Sequence, residues 1–254
     1  MFLLKQSILL FLASICCLFS VTTNASPVVD KYPRRTIAGV SVVDTPIVRS
    51  AQQYARQHGA DFVYKHIMRS WLFGALILSH NSTLSQNVDA EVHAVAAILH
   101  DLGWDTAHSD GIVSSDRRFE VDGAIASRDF IRRHQHGKGW DERRVQLVWD
   151  AIALHTERKI AYFKEDEVQV VSKGIGMDFS GPGQYGVTQA EFEKVTEEFP
   201  RGDLKKGVNE TIVWLCRTKA SSTYDTWMQP FGEQFVANYS AVGNRAIDTI
   251  FSNL

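Results

Sequence analysis

Apolar residues recur every three or four positions over most of the chain and almost nowhere every second one, which confines the fold to helices. Between 62 and 78 the apolar set includes Phe62, Ile67, Met68, Leu72 and Ala75. Between 88 and 99 a single stripe carries Val88, Val92, Val95, Ala96 and Leu99. Both patterns predict amphipathic-to-buried helices, as does the stretch 47–58. Further helices are predicted over 121–134, 141–155 with Asp141 as its cap, 165–178, 188–198 opening with a Thr188/Glu191 capping box, 204–221 and 232–254. The short run 168–171 is compatible with a strand. Loops fall at 108–118, 137–139 and 180–186, where Gly, Ser, Asp and Pro cluster. No repeat and no low-complexity linker divides the chain, so a single all-α domain is expected.

The first residues have a different logic. One cation, Lys5, precedes an apolar run over 8–21, followed by Thr22-Thr23-Asn24-Ala25 and then Ser26-Pro27. This order predicts a secretory signal peptide, 1–25, cleaved after Ala25. The run is shorter than the roughly 20 residues a spanning helix needs, so no stable membrane association is expected after its removal. Cys16 and Cys17 leave with it, and Cys216, within Ile212-Val213-Trp214-Leu215, is expected as a buried small hydrophobe. An exported chain with sequons at Asn81, Asn209 and Asn238 is expected to be glycosylated there. With 27 Lys+Arg against 29 Asp+Glu and a formal charge of -2, nucleic acid is not an expected partner. The partner is a small-molecule substrate; oligomeric state is not legible.

Chemistry concentrates at Leu99-His100-Asp101-Leu102-Gly103, two metal-ligand side chains at the end of a buried helix, with Gly103 expected as its cap. A His-Asp pair alone is common. What raises it is its company: His66 on an otherwise apolar helix, His155 ending a later one, and Asp178 after Gly174-Ile175-Gly176-Met177. A buried carboxylate there needs a cationic partner or a metal.

Five segments together resemble the HD-domain superfamily of metal-dependent hydrolases, and most closely its cyanamide-hydratase-like branch: His66-Ile67-Met68-Arg69-Ser70-Trp71, Ala97 to Gly103, Phe119-Glu120-Val121-Asp122-Gly123-Ala124, Ala151-Ile152-Ala153-Leu154-His155 and Met177-Asp178-Phe179-Ser180-Gly181. The resemblance implies a single HD-type helical bundle with additional C-terminal helices: a lead and first helix over 26–59, a metal-binding core over 60–185 and an extension over 186–254. It implies His66, His100, Asp101 and Asp178 as ligands of a divalent metal, zinc or iron, with Asp101 and His155 acting in catalysis. A water acidified by such a cation attacks either a nitrile-type C≡N bond or a phosphoester.

Around these, Trp104 is expected as a pocket wall and Arg69 as a substrate-binding residue. Glu120 and His93 are expected to support the ligands from behind. Where many phosphohydrolase relatives carry a lysine, this chain has Gly103-Trp104-Asp105-Thr106, which tilts the reading toward a neutral substrate; Arg69, Arg117 and Arg118 are the cations that could still serve a phosphate. A secreted, non-catalytic binding protein stapled by a structural metal is a third reading.

Overall fold

A computed structural model describes residues 31–106 and 111–252. The expected signal peptide, Cys16, Cys17 and His108 lie outside the described residues. From Tyr32 onward the described chain forms one compact unit, and no described helix is long and apolar enough to cross a membrane.

The chain enters through a hairpin that the apolar pattern did not predict. Strand β1 (Arg34–Ile37) pairs antiparallel with β2 (Val40–Val43), with Arg34 opposite Val43 and Ile37 opposite Val40. The two-residue connection Ala38-Gly39 has φ of 49° and 78°, the left-handed pair that matches the twist of the strands. Four-residue strands are too short for alternation to register, yet Val40, Val42 and Val43 enter the core.

Helices α1 (Pro46–His58) and α2 (Asp61–Ser79) follow as expected. The predicted helix from 88 instead starts at Ala90. Asp89 accepts from the backbone N–H groups of Glu91 and Val92, so it caps α4 (Ala90–Leu99), and a separate α3 (Ser82–Asn87) precedes it, capped by Asn81. A 3-10 turn, Leu102–Trp104, leads toward α5 (Phe119–Arg133) and α6 (Glu142–Ala153), the latter capped by Asp141. The single turn α7 (Arg158–Ala161) precedes α8 (Asp166–Ser180), which contains Val168, Val170 and Val171 and so settles that run as helix. Helix α9 (Gln189–Glu198) carries the Thr188/Glu191 capping box, and α10 (Leu204–Thr218) follows. The expected long last helix is two short ones, α11 (Gln229–Phe235) and α12 (Ala246–Ser252), because Asn238 and Gly243 between them take positive φ. Among the described residues the structure is 64% helical, with one two-stranded sheet.

The core is built on α2 against α8. A Cβ at Gly174 would lie 2.5 Å from the Ser70 carbonyl and 2.9 Å from the Gly74 nitrogen, so the two backbones touch. On the outer side of α2, Phe73 stacks on Phe192 of α9, centroids 4.7 Å apart and planes 5° from parallel.

Candidate metal centre

Four elements deliver polar side chains to the interior. His66 comes from the middle of α2; His100 and Asp101 leave the C-terminal end of α4; His155 follows α6; Asp178 sits in the last turn of α8. All five are buried. The turn after α4 is pressed against α5: a side chain on Gly103 would overlap the Phe119 carbonyl. Gly103 therefore serves close approach, and not the expected cap; His100 itself is the residue that ends the helix.

Each imidazole is anchored through Nδ1. His66 Nδ1 donates to Asp178 Oδ2 at 2.6 Å, His100 Nδ1 to the Ala97 carbonyl at 2.8 Å and His155 Nδ1 to the Ile152 carbonyl at 2.6 Å. Carbonyls and ionised carboxylates only accept, so the proton of each neutral ring resides on Nδ1 and Nε2 presents a lone pair. The Nε2 atoms of His66 and His100 lie 3.3 Å apart. Asp101 Oδ2 is 3.2 Å from His100 Nε2 and 3.7 Å from His66 Nε2. Neither oxygen of Asp101 accepts a hydrogen bond among the described residues.

A buried carboxylate facing imidazole lone pairs needs a cation. A proton is one answer: burial opposes charge on His100, but the adjoining Asp101 outweighs it and raises the imidazole above its ordinary value. Asp101 is correspondingly held below the usual carboxylate range, its burial overcome by His100, His66 and His155. A divalent metal is the other. Ligand atoms at 2.0–2.2 Å around a tetrahedral ion are about 3.4 Å apart, and the observed spacings match that figure. His66, His100 and Asp101 thus form a group able to hold a metal ion.

His155 lies on the far side of Asp101, with Nε2 3.7 Å from Oδ1 and its ring 5.0 Å from that of His100. Burial, aided by the charge of His100, pushes it down to about 4, so at neutral pH it is uncharged. Phe119 stands edge-on to His155 at 5.6 Å, and Phe179 lies 5.1 Å from the His66 ring.

Asp178 is adjacent to this group but engaged elsewhere. Arg69 Nε and Nη2 donate to its two oxygens at 2.7 Å each, and Arg201 Nε adds a 3.3 Å contact to Oδ1. Burial would raise this carboxyl, but His66 and Arg69 hold it far below the usual range. Arg69, completely buried, also donates to the carbonyls of Phe199 and Pro200. It therefore holds Asp178, and is not the substrate-facing residue expected.

Other expected residues are displaced from their assigned roles. Trp104 packs behind Phe119, centroids 5.4 Å apart, so Phe119 forms the wall beside His155. Among the described residues Glu120 makes no bond to an imidazole; it accepts from Arg118 at 2.6 Å and from Thr156 at 2.6 Å. His93 has no hydrogen bond to the group: it packs on Gly74, where any side chain would collide with its ring. Asp105 is buried against His58 at 2.7 Å, so its charge does not face the centre. Arg117 and Arg118 pair with Asp122 and Glu120. Asn81 and Asn238 are exposed, and Asn209 is half-buried on α10. Sequence reasoning missed Arg201, which has no motif around it, and Phe119, which is visible only as the apolar first residue of the Phe119–Ala124 segment.

Residues 63–194, just over half of the chain, match the HD domain. The protein belongs to the HD-domain family, whose members are generally metal-dependent hydrolases that bind divalent cations. No curated protein matches the chain.

Proposed function

We propose that the protein is a secreted, cyanamide-hydratase-like enzyme that adds water to a small neutral molecule carrying a C≡N bond, with zinc or iron at His66, His100 and Asp101. The observation that carries this reading is the carboxylate of Asp101, buried with its Oδ2 3.2 and 3.7 Å from two imidazole Nε2 atoms and with no hydrogen-bond donor to it among the described residues. A bound divalent cation supplies Lewis acidity that brings the pKa of water toward neutrality. Asp178 fixes the ring of His66, and the backbone carbonyls of Ala97 and Ile152 fix those of His100 and His155. Phe119, fully buried and edge-on to His155, limits water around that imidazole. His155 Nε2, uncharged at neutral pH, receives the proton lost by the attacking water and returns it to the substrate nitrogen as the O–C bond forms and one C≡N π bond breaks; transfer of the remaining hydroxyl proton to that nitrogen then gives an amide or urea with no leaving group. Arg69, Arg117 and Arg118 are each paired with a carboxylate, which leaves little positive potential for a dianion and favours a neutral substrate.

A second reading, hydrolysis of a phosphoester, draws on the cavity of about 1020 Å³ beyond Asp178, lined by Arg201, Lys205 and Lys206. Protein recovered from the medium of a secreting host tests all parts. About one equivalent of zinc or iron, an N-terminus at Ser26, and amide or urea product from a panel of small nitriles support the leading reading; phosphate release from nucleotides supports the second. A metal-free, folded and active protein overturns both. His155→Gln is expected to lower kcat by about 10²–10⁴-fold while the metal content stays the same.

A further inference from the structure

A cavity of about 1020 Å³ opens beyond the metal centre, lined by the end of α8, the start of α10 and α11. Its walls carry two kinds of group. Phe231 and Phe235, four residues apart on α11, put their rings on one side of that helix, centroids 6.5 Å apart. Phe179, near the end of α8, lines the same space. Phe179 and Phe235 are 51% and 48% exposed, so about half of each side chain has no protein covering it. Arg201, Lys205 and Lys206 supply charge. Arg201 is engaged by Asp178 at 3.3 Å, whereas Lys205 and Lys206 form no ion pair among the described residues. Three cations of the lining thus face two carboxylates, Asp178 and Asp203, which leaves one positive charge.

We infer that this cavity is a binding site for an amphiphilic monoanion, an organic carboxylate with an apolar body. The body lies on Phe179, Phe231 and Phe235, and the carboxylate on Lys205 and Lys206. The inference goes beyond the reaction proposed above, because it depends neither on a metal nor on which bond is attacked. Uncovered aromatic surface in a concave site gains most from an apolar body. One net positive charge matches a single negative one, while a phosphate dianion would bring a second negative charge toward Asp203 without a cation to meet it. Phe179 belongs to both places: it lines the cavity and lies 5.1 Å from the His66 ring. A bound body therefore touches a side chain that packs against the metal centre.

Isothermal titration with three compounds that share one apolar body tests the inference: biphenylacetate, biphenylacetamide and biphenylmethyl phosphate. Asn209 also lines the cavity, so the protein is produced in a host that adds no glycan there. The carboxylate is expected to bind about tenfold more tightly than the amide, as two partly exposed ion pairs allow. Lys205→Gln combined with Lys206→Gln is expected to reduce that preference to less than about twofold. Phe235→Ala is expected to weaken both ligands alike, by about threefold or more. All three positions are exposed, so these variants should keep native circular dichroism. In crystals soaked with brominated biphenylacetate, a bromine anomalous peak beside Phe231 and Phe235 supports the inference, and bromine found only elsewhere overturns it. Equal affinity for carboxylate and amide, tighter binding of the phosphate, a preference that survives loss of both lysines, or no binding of the carboxylate overturns it as well.

Discussion

His93 shows how a single residue can give stability a pH dependence without taking part in chemistry. It is fully buried against Gly74, its Nε2 has no partner among the described residues, and burial pushes it down to about 4. Unfolded, a histidine titrates near 6.5. Between those values the unfolded chain binds a proton that the folded chain refuses, so stability falls as pH drops from about 6.5 toward 4, by about 3 kcal/mol at most for this one group. Urea unfolding at pH 7 and pH 4.5 should show that fall, and His93→Leu should remove the share due to His93. The position of His93 seven residues before His100 suggested a shared face, but Gly74 leaves a recess that draws the ring toward α2. A similar limit applied to Arg69, Asp105 and Asp178. Their types and spacing were legible, but their partners, Phe199, His58 and Arg201, are remote or ordinary in sequence. His66, His100 and Asp101 were legible because few arrangements explain two histidines and an aspartate placed among apolar helices.

At the scale of elements, the contact of α2 with α8 decides most. Gly174→Ala would drive a methyl into the Ser70 carbonyl, which backbone cannot yield cheaply. Overpacking of this kind costs about 1–3 kcal/mol, so calorimetry should record a Tm several degrees lower, while Gly139→Ala, where nothing lies within 4 Å, serves as the control. Long helices with one apolar stripe were readable, as were the caps at Asp141 and Thr188, because these signals are local. The hairpin at the entry and the division of 232–254 were not. Four-residue strands give no period to detect, and the apolar residues of the C-terminal stretch resemble a stripe although Asn238 and Gly243 break the backbone between α11 and α12.

Considered whole, the molecule brings into its core a carboxylate that, among the described residues, faces only imidazoles, and metal binding should offset that cost. An ion that binds the folded chain alone adds RT ln(1 + [metal]/Kd), about 4 kcal/mol when the free metal is a thousandfold above Kd. Chelation should therefore lower Tm, and restoring zinc or iron should recover it. The gain should also shrink at acid pH, because the imidazoles must be unprotonated to bind. The bundle and its centre were accessible from sequence because they span 60–185, where motifs and periodicity coincide. Beyond Glu198 periodicity stood alone, and it failed once the helices became short.

That failure has a practical side. No residue of α12 is buried, and Ile247, Ile250 and Phe251 face outward. A segment so loosely fastened opens at small energetic cost, and brief exposure to a nonspecific protease should trim it first. The trimmed product should keep the melting behaviour and metal content of the parent, since His66, His100 and Asp101, the group able to hold an ion, lie upstream.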